Sequence, residues 1–173
     1  MLLKIFLIIF LLSKISLTAT NPITIDTVYI GNLGNSADPM IGFGNSSLAG
    51  FGNVDYGYSI GKYEVTNQQY TTFLNSVASK SDQHGLYNSY MSSNRFGGIL
   101  RTGVLGNYSY ELKDSTWGQK PVNMVSFWDA VRFANWMTTG GADTENGLYS
   151  LNNVTNPDNR SITRNTDVSG FAI

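Results

Sequence analysis

The chain has no cysteine in its 173 residues. That absence rules out disulfide stabilisation, so in a secreted domain burial and hydrogen bonding must carry the fold. It also rules out thiolate nucleophiles, thiolate metal sites and a lipid-modified N-terminal cysteine. There is one histidine, His84. A multi-histidine iron site cannot be built from it, and it reads as a surface or packing residue. Charge is equally sparse, at 13% of residues with a formal net charge of -1. Nothing draws such a chain to phosphate backbones or anionic lipid surfaces, so a nucleic-acid partner is not expected.

The chain is instead rich in apolar residues (42%), in aromatics (13%) and in glycine, with 18 copies. This balance suits a folded, loop-rich extracellular domain with many turns and argues against disorder. Its length allows one domain. Residues 1–19 read as a secretory signal peptide. Lys4 supplies a positive start, residues 5–12 form an unbroken apolar run, and small residues up to Ala19 offer a cleavage site. The apolar run falls short of the ~20 residues that a membrane span needs. An uncleaved signal anchor is the alternative, and a stable span after cleavage is not expected. Residues 20–173 would then form the mature domain in a secreted or periplasmic location.

Two helices can be read directly. Thr66-Asn-Gln-Gln69 is a capping-box signature, and Tyr70, Phe73, Leu74 and Val77 then line one helix face, which ends near residues 78–81. The second begins at Ser126, with Asp129 three residues on as the reciprocal cap. Phe127, Ala130, Val131, Ala134 and Met137 predict its buried stripe, with aromatics also at Trp128, Phe133 and Trp136, and Gly140-Gly141 predicts its end. Strands are expected at residues 27–30, 54–65, 98–103, 108–112 and 147–151. Residues 81–98 and 152–164 read as loops. The glycine-rich loop 42–52 lacks the lysine-serine ending of a phosphate-binding loop.

Three sites invite chemistry. Asn32, Asn35 and Asp38 place side-chain oxygens in a glycine-rich loop, a composition that hard cations such as calcium use, but a run of Asx and glycine turns is the favoured reading, since a single carboxylate binds calcium poorly. Glu64 lies just before a helix start without a second carboxylate, so a structural hydrogen bond is expected in place of acid–base work. Asn45, Asn107, Asn153 and Asn159 match the glycosylation sequon.

Residues 61–75, Gly-Lys-Tyr-Glu-Val-Thr-Asn-Gln-Gln-Tyr-Thr-Thr-Phe-Leu-Asn, together with residues 121–136, Pro-Val-Asn-Met-Val-Ser-Phe-Trp-Asp-Ala-Val-Arg-Phe-Ala-Asn-Trp, resemble the formylglycine-generating enzyme, or sulfatase-modifying factor, family. Residues 31–38, 85–88, 97–101 and 144–149 are similar to motifs of its bacterial secreted branch. The resemblance spans roughly residues 28–164. It implies an irregular, loop-rich α+β domain related to the C-type lectin fold. Residues 163–173 resemble the lead-in to the family's next segment, so the domain is expected to be the N-terminal portion, incomplete at its C-terminus. For a complete member the resemblance implies calcium and a copper-bound thiolate pair. This chain has no thiol to supply, so no catalytic or cofactor-binding residue carries over. A non-catalytic domain is the expectation, with a lectin-like module for a carbohydrate or peptide ligand as the alternative.

Overall fold

The computed structural model describes residues 23–37, 52–151 and 162–173. The expected signal peptide, Asp38, most of the glycine-rich loop, Asn45, Asn153, Asn159 and most of the polar stretch after Leu151 lie outside the described residues. The described part is mixed α and β, with three α-helices, a short 3-10 helix (Ser115–Trp117) and three two-stranded antiparallel sheets among long loops. No helix among the described residues is long and apolar enough to cross a membrane.

β1 (Thr27–Ile30) pairs with β2 (Tyr58–Gly61), running from Thr27 opposite Gly61 to Ile30 opposite Tyr58. The strand expected over 54–65 is therefore four residues long. After Gly61 the chain turns into the cap of α1 (Asn67–Val77), and Lys62 N–H already donates back to Asp26. Thr66 and Gln69 form the reciprocal capping box, with Thr66 N–H donating to Gln69 Oε1 at 2.9 Å and Gln69 N–H to Thr66 Oγ1 at 3.3 Å. Two of the orphan amides of the first turn are thereby satisfied, as such a box requires. Asn67 and Gln68 amides donate to the carbonyls of Lys120 and Gly118, which ties the start of α1 to the segment leading into the last helix.

The loop expected over 81–98 contains a short helix, α2 (Tyr90–Ser93). No periodic pattern announces it, because one turn buries a single side chain, Met91. β3 (Ile99–Val104) and β4 (Asn107–Leu112) form a hairpin whose register runs from Ile99 opposite Leu112 to Val104 opposite Asn107. Gly106, at φ 95°, adopts the left-handed backbone of its turn. Asn107, the one sequon asparagine within the described residues, is exposed at the start of β4.

α3 (Phe127–Thr138) begins at the predicted Ser126, with Ser126 N–H donating to Asp129 Oδ2 at 2.8 Å and Asp129 N–H to Ser126 Oγ at 3.2 Å. It ends in a Schellman motif. Gly141 N–H reaches Trp136 O at 2.8 Å and Gly140 N–H reaches Met137 O at 3.3 Å, both glycines having positive φ. The buried stripe is broader than predicted. Phe127 is 57% exposed and stacks edge-on against Trp128, whereas Asp129 and every residue from 131 to 137 are buried. The reason is that α3 is covered from two sides. Phe133, Trp136 and Met137 join a cluster with Tyr70, Phe73 and Leu74 of α1, Met91, Ile99 and Tyr110. Val131 and Ala134 face a second cluster of Leu148, Tyr149 and Leu151. Phe73 sits at the centre of the first, with ring centroids 5.4, 5.3 and 5.2 Å from Tyr70, Phe133 and Trp136.

The predicted strand at 147–151 shortens to β5 (Tyr149–Ser150), which pairs with β6 (Thr163–Arg164). Phe171 packs against both clusters, and its amide donates to Thr138 Oγ1 at 2.9 Å.

Candidate functional site

The concentration of buried charge lies where α3 meets the loops at 82–87 and 143–146. Arg132 is 1% exposed, between Val131 and Phe133. A guanidinium so placed needs a partner, and Glu145 supplies one in a forked pair: Arg132 Nε to Oε1 at 2.6 Å and Nη2 to Oε2 at 3.1 Å. Glu145 Oε1 also accepts from Thr144 Oγ1 at 3.2 Å and lies 3.5 Å from His84 Nε2. Burial acts to raise the Glu145 carboxyl, but hydrogen bonds and charge from Arg132 outweigh it, so the group ionises below its ordinary range. The His84 imidazole is held below its ordinary range by burial first and by the Arg132 charge second, against the pull of Glu145, Asp82 and Asp129. Its Nδ1 is buried without a hydrogen-bond partner, while Gln83 Nε2 lies 3.1 Å from Nε2.

Asp82 completes the arrangement from below. Its two carboxylate oxygens accept from the Leu86 and Tyr87 amides at 2.7 and 3.0 Å, which closes the loop that carries His84. Asp129, at the start of α3, is raised above the ordinary carboxylate range by burial. The phenol of Tyr70 is raised by burial and by the nearby Asp129 and Asp82 charges, and its hydroxyl donates to Leu86 O at 2.9 Å. Structurally this is a polar knot at the seam between helix and loops. Among the described residues, no group of three or more His, Cys, Asp or Glu is arranged to hold a metal ion.

A second feature is a shallow cleft of about 190 Å³ between residues 24–26, the run into α1, and Gln119. Thr24, Ile25, Asp26, Tyr63, Glu64, Thr66, Gln69 and Gln119 line it. Gln69 Nε2 donates to Thr24 O at 2.9 Å, which fixes one wall. Glu64 is exposed here, so the buried hydrogen bond expected of it is not its role.

Of the calcium-type loop, Asn32 is exposed, and Asn35 Nδ2 donates to Gly52 O at 2.8 Å and to Ser36 O at 3.3 Å. Gly34 N–H reaches Val54 O at 3.1 Å, so the described part of the loop is braced against residues 52–54. These two asparagines bring neutral amides, and the one carboxylate of the trio, Asp38, lies outside the described residues.

Reasoning from sequence missed the polar knot. His84 was expected to be a surface or packing residue; its side chain is only 10% exposed, as a packing residue would be, but it stands among Glu145, Arg132 and Asp82, which were not foreseen. A signal was present in Arg132 itself, because a charge inside an apolar helical run demands a counter-charge. Also missed were the buried asparagines. Asn67 Nδ2 donates to the carbonyls of Trp117 and Lys120, both at 3.1 Å. Asn135, fully buried, donates to Thr144 O at 3.0 Å and Tyr149 O at 2.8 Å and accepts from Tyr149 N–H at 2.9 Å.

Comparison with protein families matches residues 52–155 to the sulfatase-modifying factor enzyme 1-like domain. That span takes in α1, α2, the β3–β4 hairpin, α3 and the whole polar knot. Comparisons with curated proteins and with solved structures return no match.

Proposed function

The chain belongs to the sulfatase-modifying factor enzyme 1-like family, and from that premise we propose that it is a formylglycine-generating-enzyme-like domain that does not itself oxidise a substrate cysteine. The observation that carries this reading is the absence of cysteine from all 173 residues. The chemistry implied for a complete member is oxygen activation at a copper-bound thiolate pair. The residues of this chain do not fit that group, because a soft copper site of that type needs thiolates. The test is incubation of the purified protein with copper, oxygen and a cysteine-bearing sulfatase peptide, read by mass spectrometry. Unchanged peptide is expected, and aldehyde formation would overturn the proposal.

A bacterial host, argued from the similarity of residues 31–38, 85–88, 97–101 and 144–149 to the bacterial secreted branch, belongs to the same proposal, as does location outside the cytoplasm. The location is supported by the charged start, apolar run and small residues of positions 1–19. Fractionation and N-terminal sequencing check it, with a mature chain starting near residue 20 expected. The C-type-lectin-like fold and the reading as the N-terminal part of a longer family domain rest on the order of the family motifs. Sequencing of the coding DNA past codon 173 tests the latter, and the family's next segment is expected there. Calcium at the loop of Asn32, Asn35 and Asp38 is tested by melting in millimolar calcium against chelator, and an unchanged melting temperature removes it.

The cleft at Tyr63 favours a second reading, a binding module for a carbohydrate or peptide. An exposed aromatic ring beside two carboxylates and an amide offers both a stacking face and hydrogen-bond acceptors. Binding to a glycan or peptide array that Tyr63→Ala abolishes would support it. Binding that Tyr63→Ala leaves intact would remove the cleft from consideration.

A further inference from the structure

We propose that His84, Glu145 and Arg132 form a proton-releasable clasp, which holds the loop at 82–87 against α3 and the loop at 143–146 while His84 is neutral and lets it go when His84 takes up a proton. The geometry is specific. The His84 side chain is 10% exposed, its Nε2 lies 3.5 Å from Glu145 Oε1, and its Nδ1 is buried with no acceptor in reach. The same Glu145 oxygen is 2.6 Å from Arg132 Nε, so the carboxylate facing His84 is already engaged by a fixed cation. A proton on His84 would place a second cation beside Arg132 and remove the Nε2 lone pair that faces the Gln83 amide nitrogen 3.1 Å away.

The groups facing His84 come from each element packed around it. α3 contributes Arg132, which opposes the imidazolium, and Asp129, which favours it. Glu145 from the following loop and Asp82 from the same loop also favour it. Burial and Arg132 prevail, so the folded protein binds this proton less readily than the unfolded chain. The stabilisation that neutral His84 gives is therefore complete above the unfolded histidine value of about 6.5. It is lost as pH falls below that value, until His84 protonates in the folded state as well. Asp129 works in the opposite direction: a carboxyl raised in the folded state adds stability as pH falls. Glu145, lowered in the folded state, also loses stability in acid, but below its unfolded value of 4.5, so acid weakening between pH 7 and pH 5 identifies His84.

Because His84 is the sole histidine, its ring resonances are unambiguous in the full chain. Titration by NMR is expected to give a midpoint below about 6.5. Hydrogen exchange, corrected for intrinsic rates, is expected to show the Leu86 and Tyr87 amides, which Asp82 holds, losing protection between pH 7 and pH 5 ahead of the α1 amides. In that range the unfolding constant is expected to rise by up to about tenfold per pH unit, and His84→Gln should abolish the rise. A midpoint at or above the ordinary histidine value overturns the proposal. So does equal loss of protection in α1 and the loop, or an unchanged acid response in His84→Gln. If His84→Gln fails to fold, the titration and exchange on the unaltered protein decide the matter.

Discussion

The α1–α3 core and the β1–β2 ribbon draw on similar residues and meet opposite fates. Tyr70, Phe73, Phe133 and Trp136 are buried between two helices, whereas Tyr29 in β1 is 68% exposed and Ile60 in β2 52%. Aromatic and β-branched composition therefore does not decide burial; the presence of an opposing layer does. α1 and α3 each have a facing helix, and their ends are fixed by capping boxes and by backbone hydrogen bonds to neighbouring segments. The ribbon has two strands of four residues, and β2 is exposed along its whole length. A two-stranded ribbon has little stability of its own, so local pairing there contributes less than packing does in the core.

The difference can be tested by substitution. Phe73→Ala removes a fully buried ring at the centre of the aromatic cluster and should cost ~3–5 kcal/mol, measured by denaturant unfolding. Asn135→Ala should cost about 3 kcal/mol, since it strips partners from the buried carbonyl and amide of Tyr149 and from the part-buried Thr144 carbonyl. Asn135→Asp, which keeps the volume but loses the donor, should restore little of this in the same assay. Ser126→Ala and Thr66→Ala should each cost about 1 kcal/mol, and equal losses would show that the two caps are equivalent despite their different third residues. Ile60→Ser in the ribbon should move stability by no more than about 0.5 kcal/mol. A loss comparable to Phe73→Ala would mean that the ribbon carries as much stability as the core, and the contrast would fail.

Both helices were legible because their signals are local. A capping box needs residues three apart, an apolar face needs a period near 3.6, and a Schellman end needs glycine; all three lie within a few residues of one another. The strand at 27–30 and the hairpin arms were legible for the same reason, through runs of β-branched and aromatic residues. The strand expected over 54–65 shortened to four residues, because extended composition alone does not say how far a partner strand reaches. Phe127 was assigned to the buried face on periodicity and lies outside it, because the period gives a direction around the helix without saying where the neighbouring layers begin.

The polar knot was only partly legible. Arg132 inside an apolar run pointed to a buried counter-charge, but Glu145 is thirteen residues away and His84 more than forty. Nothing local connects these positions. The buried asparagines were hidden for the same reason. Asn67 and Asn135 look like ordinary polar residues until the carbonyls of a distant loop are brought over them.

By itself, then, the amino-acid order determined the two capped helices, their glycine and turn boundaries, the family motifs and the exclusion of thiol chemistry. These depend on backbone preferences and side-chain chemistry within a few residues of each other. The tertiary structure alone decided that α3 is covered on two sides, that Phe127 and the ribbon remain at the surface, and that one histidine, one arginine and one glutamate share a buried site. Those outcomes depend on which distant surfaces meet, because burial and charge pairing are properties of contacts between segments and not of the segments themselves.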